Sequence, residues 1–111
     1  MHTAANRIII IEGSCYNLMN AHEIIIVESE GYYCHFRLSS GTRVLRISLK
    51  KLEGILPANF IRLDKSTIVN TNFIHRIKKV KETFHIFMAD KTEIKATPKY
   101  SHGIRDFLAE L

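Results

Sequence analysis

Tryptophan is absent from this 111-residue chain, and cysteine and proline each occur only twice. Two thiols, Cys15 and Cys34, are too few for a disulfide framework, so a reducing cytoplasm is the simplest setting. Neither Pro57 nor Pro98 lies in a Pro-rich or Gly/Ser-rich tract, which leaves no linker to divide the chain. The longest aliphatic runs, Ile8 to Ile11 and Ile24 to Val27, fall far short of the roughly 20 residues that cross a bilayer. No basic-then-apolar leader opens the sequence, and no membrane insertion is expected. Gly-rich phosphate loops and Gly-x-Ser-x-Gly elbows are also missing. The six histidines (His2, His22, His35, His75, His85 and His102) show none of the close pairings of a zinc site. Cys34 and His35 are neighbours on a strand and point to opposite faces, so the imidazole is badly placed to activate the thiol. The sequence therefore predicts no metal, no cofactor, no small-molecule substrate and no enzyme.

What is present is a moderate excess of cations. Lys and Arg number 16 against 11 Asp and Glu, for a formal net charge of +5. That balance is compatible with a polyanionic partner without requiring one. The length suits one domain with a single substantial core. Residues 1–6 are small and polar and read as a disordered leader, leaving residues 7–111 as the domain.

Periodicity makes this domain mainly β. Arg7 to Glu12, Cys15 to Asn20 and Ile24 to Glu28 read as strands. Apolarity is continuous rather than alternating over Ile24 to Val27, which marks a central strand buried on both faces. Tyr32 to Leu38 alternates, with Tyr32, Cys34, Phe36 and Leu38 assigned to the core face and Tyr33, His35 and Arg37 to the other. Thr42 to Ile47 returns as its hairpin partner. Ser48 suits the N-cap of a short helix that ends before Pro57, with Leu49, Leu52, Ile55 and Leu56 as its apolar stripe. Later strands are expected over Phe73 to Val80, Phe84 to Met88 and Thr92 to Ala96. Lys78, Lys79 and Lys81 cluster at the first of these hairpins and read as a solvated face. Thr97 as N-cap and Pro98 at the first helical position open a terminal helix. Its apolar stripe would be Tyr100, Ile104, Phe107, Leu108 and Leu111. The total is eight or nine strands and two helices.

The chain is organised around Phe60 to Asn70. An alternating strand, Phe60 to Asp64, stops at Asp64-Lys65-Ser66 and restarts as Ile68-Val69. The corner sets a long cation beside a small hydroxyl, which is either a solvated turn or a contact point for phosphate and base edges. Lys99 is the second conspicuous cation. In the first turn of a helix it opposes the macrodipole, whereas an anion bound there would be attracted by both.

The run Leu49-x-x-Leu52-Glu53-x-x-Leu56-Pro57-x-x-Phe60-x-Arg62-x-x-Lys65-Ser66-x-Ile68-Val69-Asn70-x-x-x-Ile74 resembles the central signature of the LytTR DNA-binding domain, the output module of many bacterial response regulators. Glu28-Ser29-Glu30-Gly31-x-Tyr33 and Thr97-Pro98-Lys99-Tyr100 resemble two further parts of that family. Cys34, Asp64 and Pro98 depart from its usual pattern. The resemblance implies an elongated β-sandwich of about eight to ten short strands with one short internal helix and a C-terminal helix. It also implies sequence-specific binding of double-stranded DNA, by loops that enter the major groove, in a bacterial transcriptional regulator of a two-component system. The family's contact loops fall here at Tyr33-Cys34, Lys65-Ser66 and Lys99. Paired direct repeats as the target, and association of two copies on DNA, are implied in the same way. Whether the segment is an excised output domain or a stand-alone regulator stays open. Two other readings of the residues are a single-stranded nucleic-acid or polyanion binder and a protein-interaction domain.

Overall fold

The computed structural model describes residues 7–111, so the leader expected over residues 1–6 lies outside the described residues. Ten strands are present: β1 (Arg7–Glu12), β2 (Cys15–Asn20), β3 (Ile24–Glu30), β4 (Tyr33–Leu38), β5 (Gly41–Leu45), β6 (Phe60–Asp64), β7 (Thr67–Asn70), β8 (Ile74–Val80), β9 (Thr83–Met88) and β10 (Glu93–Ala96). Helix α1 (Leu49–Glu53) lies between β5 and β6, and α2 (Ser101–Ala109) ends the chain. Short 3-10 turns cover Ala21–Glu23, Thr71–Phe73 and Pro98–Tyr100. The strands form an antiparallel β1-β2 pair, a five-stranded sheet ordered β5-β4-β3-β7-β6, and a three-stranded sheet ordered β10-β9-β8. The molecule is elongated, 47 × 37 × 24 Å.

The five-stranded sheet is the middle layer. On one face Ile24, Val27, Cys34, Phe36 and Ile68 pack with Ile8, Ile10 and Met19 of the β1-β2 pair and with Leu49 and Leu52 of α1. On the other face Ile25, Ile26, Leu63 and Val69 pack with Phe84, Ile86 and Met88 of β9 and with Ile104 of α2. Burial on both faces is why β3 reads as an unbroken aliphatic run. A bulge between Ile24 and Ile26, against Leu38 and Arg37 of β4, breaks the alternation and sends Ile25 and Ile26 to the same face.

Asn70 closes the middle layer. It is fully buried at the end of β7. Its Nδ2 donates to the Ile24 carbonyl at 2.9 Å, and its Oδ1 accepts from the Asn72 N–H at 2.9 Å and from Asn59 Nδ2 at 2.8 Å. One amide thus ties β3, the loop before β6 and the turn after β7, leaving no polar atom of its own unpaired.

A second tie joins the sheets at the surface. Arg37 of β4 donates to Asp90 at 3.0 Å and Thr92 at 2.7 Å, in the β9-β10 turn, and to Glu28 at 3.1 Å. Burial of Asp90 pushes its carboxyl up. Hydrogen bonds from the Thr92 side chain and backbone and from Arg37, with the Arg37 charge, outweigh that and hold it below the ordinary value. A depressed carboxylate contributes stability that is whole above about pH 4, the ordinary aspartate value, and is lost as pH falls through the folded-state value. Asp90→Asn should therefore lower Tm at pH 7 and flatten the acid limb of a Tm-against-pH curve, so that the two proteins converge in acid. An unchanged acid limb would show that the contact is silent.

Several expected boundaries shift. The fifth strand stops at Leu45 rather than Ile47, Phe73 belongs to a 3-10 turn, and β10 begins at Glu93. Ser48 caps α1 as expected, its Oγ accepting the Lys51 N–H at 3.1 Å. The apolar stripe of α2 is narrower than predicted. Ile104 is buried and Phe107 half-buried where the helix packs on β6 and β9, whereas Leu108 and Leu111 are exposed.

Candidate nucleic-acid interface

Strand register brings three loops to one end of the molecule. Glu28 pairs with Thr67, and the Ser29 N–H donates to the Ser66 carbonyl at 2.9 Å. The β3-β4 turn, closed by Glu30 opposite Tyr33, therefore stands beside the β6-β7 turn. The Thr97 N–H donates to the Leu63 carbonyl at 3.1 Å, which docks the exit of β10 onto the end of β6 and carries Pro98-Lys99 to the same place. The result is an open cleft of about 410 Å³ lined by Asp64, Lys65, Ser66, Thr97, Lys99 and Tyr100. Lys65 and Lys99 are exposed, and neither is ion-paired with a carboxylate among the described residues.

The shape of the β6-β7 corner is set by its neighbours in sequence. Asp64 Oδ1 accepts from the Ser66 N–H at 2.9 Å and from the Ser66 hydroxyl at 3.3 Å, a local turn that Asp and Asn form readily. Arg62 holds the corner from behind. Its Nε donates to the Asp64 carbonyl at 3.1 Å, its Nη2 to the Lys65 carbonyl, and its Nη1 to Glu53 at 3.1 Å. The same guanidinium lies 5.2 Å from the centroid of the Tyr100 ring, so Arg62 couples both walls of the cleft. Lys65 is thus presented outward on a fixed backbone. Ser66 is half-buried, with its hydroxyl proton engaged by Asp64 and its oxygen still able to accept.

Lys99 reaches the cleft by a different route from the one predicted. Thr97 makes no side-chain cap, and the first turn is 3-10 over Pro98–Tyr100, with α2 starting only at Ser101. Lys99 consequently stands in the 3-10 turn just before α2 rather than in the first turn of the α-helix. Ser101 closes the turn instead, donating to the Pro98 carbonyl at 2.9 Å and accepting from Arg105 at 2.6 Å. Lys99 Nζ sits 5.6 Å from the Tyr100 centroid.

Tyr33 and Cys34 separate. Tyr33 is 44% exposed at the start of β4, on the end described above. Cys34 has no exposed surface, and its Sγ donates to the Ile47 carbonyl at 3.1 Å. The residue after an outward-facing one points inward, so Cys34 is a core residue and leaves the candidate set as a direct contact. Burial pushes its thiol up, against the lowering effect of the Arg62 charge. Among native thiols, Cys15, which is exposed, should react promptly with Ellman's reagent at pH 8, and Cys34 only after denaturant is added. Two fast thiols in the native protein would contradict this burial.

Tyr32 and Arg46 escaped the sequence reading. Tyr32, assigned there to the core face, is 75% exposed. Pairing resumes only at Tyr33, so Gly31-Tyr32 form a two-residue turn with Gly31 at φ 63°. The signal was available, since Gly at the first central position is the mark of such a turn. Arg46 falls inside the strand expected over Thr42 to Ile47, whereas β5 ends before it. Leu45 faces Cys34, which puts Arg46 beside Tyr33. Its guanidinium lies 4.9 Å from the Tyr32 centroid and 5.9 Å from that of Tyr33. Only the long-range register of β5 could have placed it there. Among the described residues no group of three His, Cys, Asp or Glu side chains could hold a metal ion, and no helix is long and apolar enough to cross a membrane.

The family model described as the LytTr DNA-binding domain matches residues 14–109. The fold is similar to a solved LytTr DNA-binding domain of a Bacillus cereus protein described as a methyl-accepting/DNA response regulator. The TM-score is 0.77 at 22% sequence identity, over 93% of this chain and 96% of that one. No match was found among curated proteins. A match over nearly the whole chain fixes the family: this protein belongs to the LytTr family of DNA-binding domains.

Proposed function

We propose that the domain recognises a specific double-stranded DNA sequence through loops placed in the major groove, as the output element of a bacterial transcriptional regulator working in the cytoplasm. The observation that carries this reading is the cleft at one end of the molecule, where Lys65 and Lys99, with no ion-pair partner among the described residues, stand on walls locked together by Arg62. Cations on fixed backbone suit guanine edges and phosphates. Tyr33, Tyr32 and Arg46 form a second group on the same end, suited to sugar-phosphate contact and stacking. Family membership supports paired direct repeats as the target, with two copies side by side on DNA.

The test is fluorescence anisotropy with duplex DNA across a salt series, combined with selection from a random pool. Enrichment of a repeated motif with steep salt dependence is the expected result. A second reading, single-strand binding, is favoured by the exposed Tyr32-Tyr33 pair, since exposed rings can stack on unpaired bases. Preference for unpaired strands without motif enrichment would replace the first reading by the second. Absence of binding at low salt would remove both.

Asp64 offers an internal check. Asparagine at this position keeps the oxygen that accepts from Ser66 and removes the negative charge next to Lys65. Asp64→Asn should leave Tm nearly unchanged and tighten duplex binding roughly two- to five-fold at low salt, the scale of an exposed charge interaction of about 0.5–1 kcal/mol. Weaker binding would mean that the carboxylate itself contributes to the contact.

A further inference from the structure

The lysines of the β8-β9 hairpin were read from sequence as a solvated face, but the strand register places part of that hairpin on the DNA-facing end. Ala96, the last residue of β10, pairs with Phe84, and Phe84 pairs with Lys79. Val80 opposite Thr83 closes the hairpin. The Lys81-Glu82 turn is therefore at the level where β10 exits toward Lys99, two strands away, or roughly 10 Å at the usual strand spacing.

Alternation divides the cations of β8. Lys79 shares the face of Phe84, which packs into the core beneath β6 and α2, and its Nζ lies 5.7 Å from the Phe84 centroid. Lys79 thus projects on the side of the sheet from which Lys99 emerges. Lys78 and Arg76 lie on the outer face, opposite His85 and Phe87 respectively. Lys81 occupies the turn itself with φ 57°, a conformation held by glycine in the corresponding position of the β3-β4 turn and costly for a side chain. Lys91 adopts a similar φ at the opposite end of the sheet, so position rather than conformation singles out Lys81. Neither Lys79 nor Lys81 is in an ion pair among the described residues.

We infer that Lys79 and Lys81 form an additional phosphate-binding edge, which extends the contact with duplex DNA beyond the three loops and grips the backbone flanking the recognised bases on the Lys99 side. The inference rests on the duplex-binding reading above. These contacts carry no sequence information, because phosphates are the same at every step. They set affinity, salt dependence and register.

The experiment compares wild type, the pair Lys79→Gln/Lys81→Gly, and the outer-face control Lys78→Gln on duplexes with long and with trimmed flanks. Glycine at position 81 eases the turn, so lost binding could not be ascribed to unfolding. Each phosphate contact is worth a salt slope of roughly 0.9. The pair should lower the slope by nearly two units and leave the selected motif unchanged, while Lys78→Gln keeps the wild-type slope. Trimming the flank on the Lys99 side should weaken wild type to the level of the pair and leave the pair unaffected. A pair variant with the wild-type slope and flank dependence would overturn the inference, as would an equal loss in Lys78→Gln. Motif-free binding by wild type would overturn only the sequence-specific reading, and lack of duplex binding would overturn both.

Discussion

Asn70→Ala should lose about 3–5 kcal/mol of stability and melt roughly 15–30 °C below wild type, the steepest effect of any polar substitution in this domain. Alanine strands the buried Ile24 carbonyl together with the partly buried Asn72 N–H and Asn59 amide, and a buried polar group left unpaired costs about 1–3 kcal/mol. A domain of this size holds only about 5–15 kcal/mol in all. Asn70→Asp tests the same point differently. A carboxylate cannot donate to the Ile24 carbonyl, so at neutral pH it should be no more stable than the alanine variant. Circular dichroism melts with urea titrations at fixed pH would measure both. A loss of under 1 kcal/mol for alanine would mean that the three groups find other partners.

Lys65→Ala and Lys99→Ala are expected to leave stability within about 0.5 kcal/mol of wild type, since both side chains are exposed. Binding to the selected site should weaken by about 1–3 kcal/mol for each, or roughly five- to 150-fold, if base edges are touched. A phosphate-only contact would produce a different pattern, with all sequences weakened alike and the salt slope lower by about one. Because the two residues line one cleft whose walls are joined by Arg62, the double variant should depart from additivity. Wild-type affinity in both single variants would remove the cleft from the interface.

Much of this was legible in the sequence. Four consecutive aliphatics announced β3 as the strand shared by two layers, and the strand-corner-strand signature placed Lys65 correctly on the β6-β7 turn. Features that depend on partners far along the chain were not legible. Arg46 becomes a neighbour of Tyr33 only through the pairing of Leu45 with Cys34, and Thr97 is docked by an N–H bond to the carbonyl of Leu63, 34 positions earlier. Asp64, which departs from the family pattern, proved to be the residue that shapes the corner. Tyr32 was given to the core face because its strand was started one residue early; it lies in the turn, while Cys34 and Phe36 face inward as the alternation predicted.

The sharing of β3 between both faces has a mechanical meaning. Ile24 and Val27 belong to one core and Ile25 and Ile26 to the other, so neither half can loosen without stripping the strand that the other half needs. The amides of this strand should exchange only in whole-molecule opening, and unfolding should be a single transition. The loops proposed to meet DNA hang from that common beam, which sets their mutual spacing before any encounter. Binding a stiff duplex then requires little ordering of the protein, and little of the interaction energy is spent on arranging its own contact points.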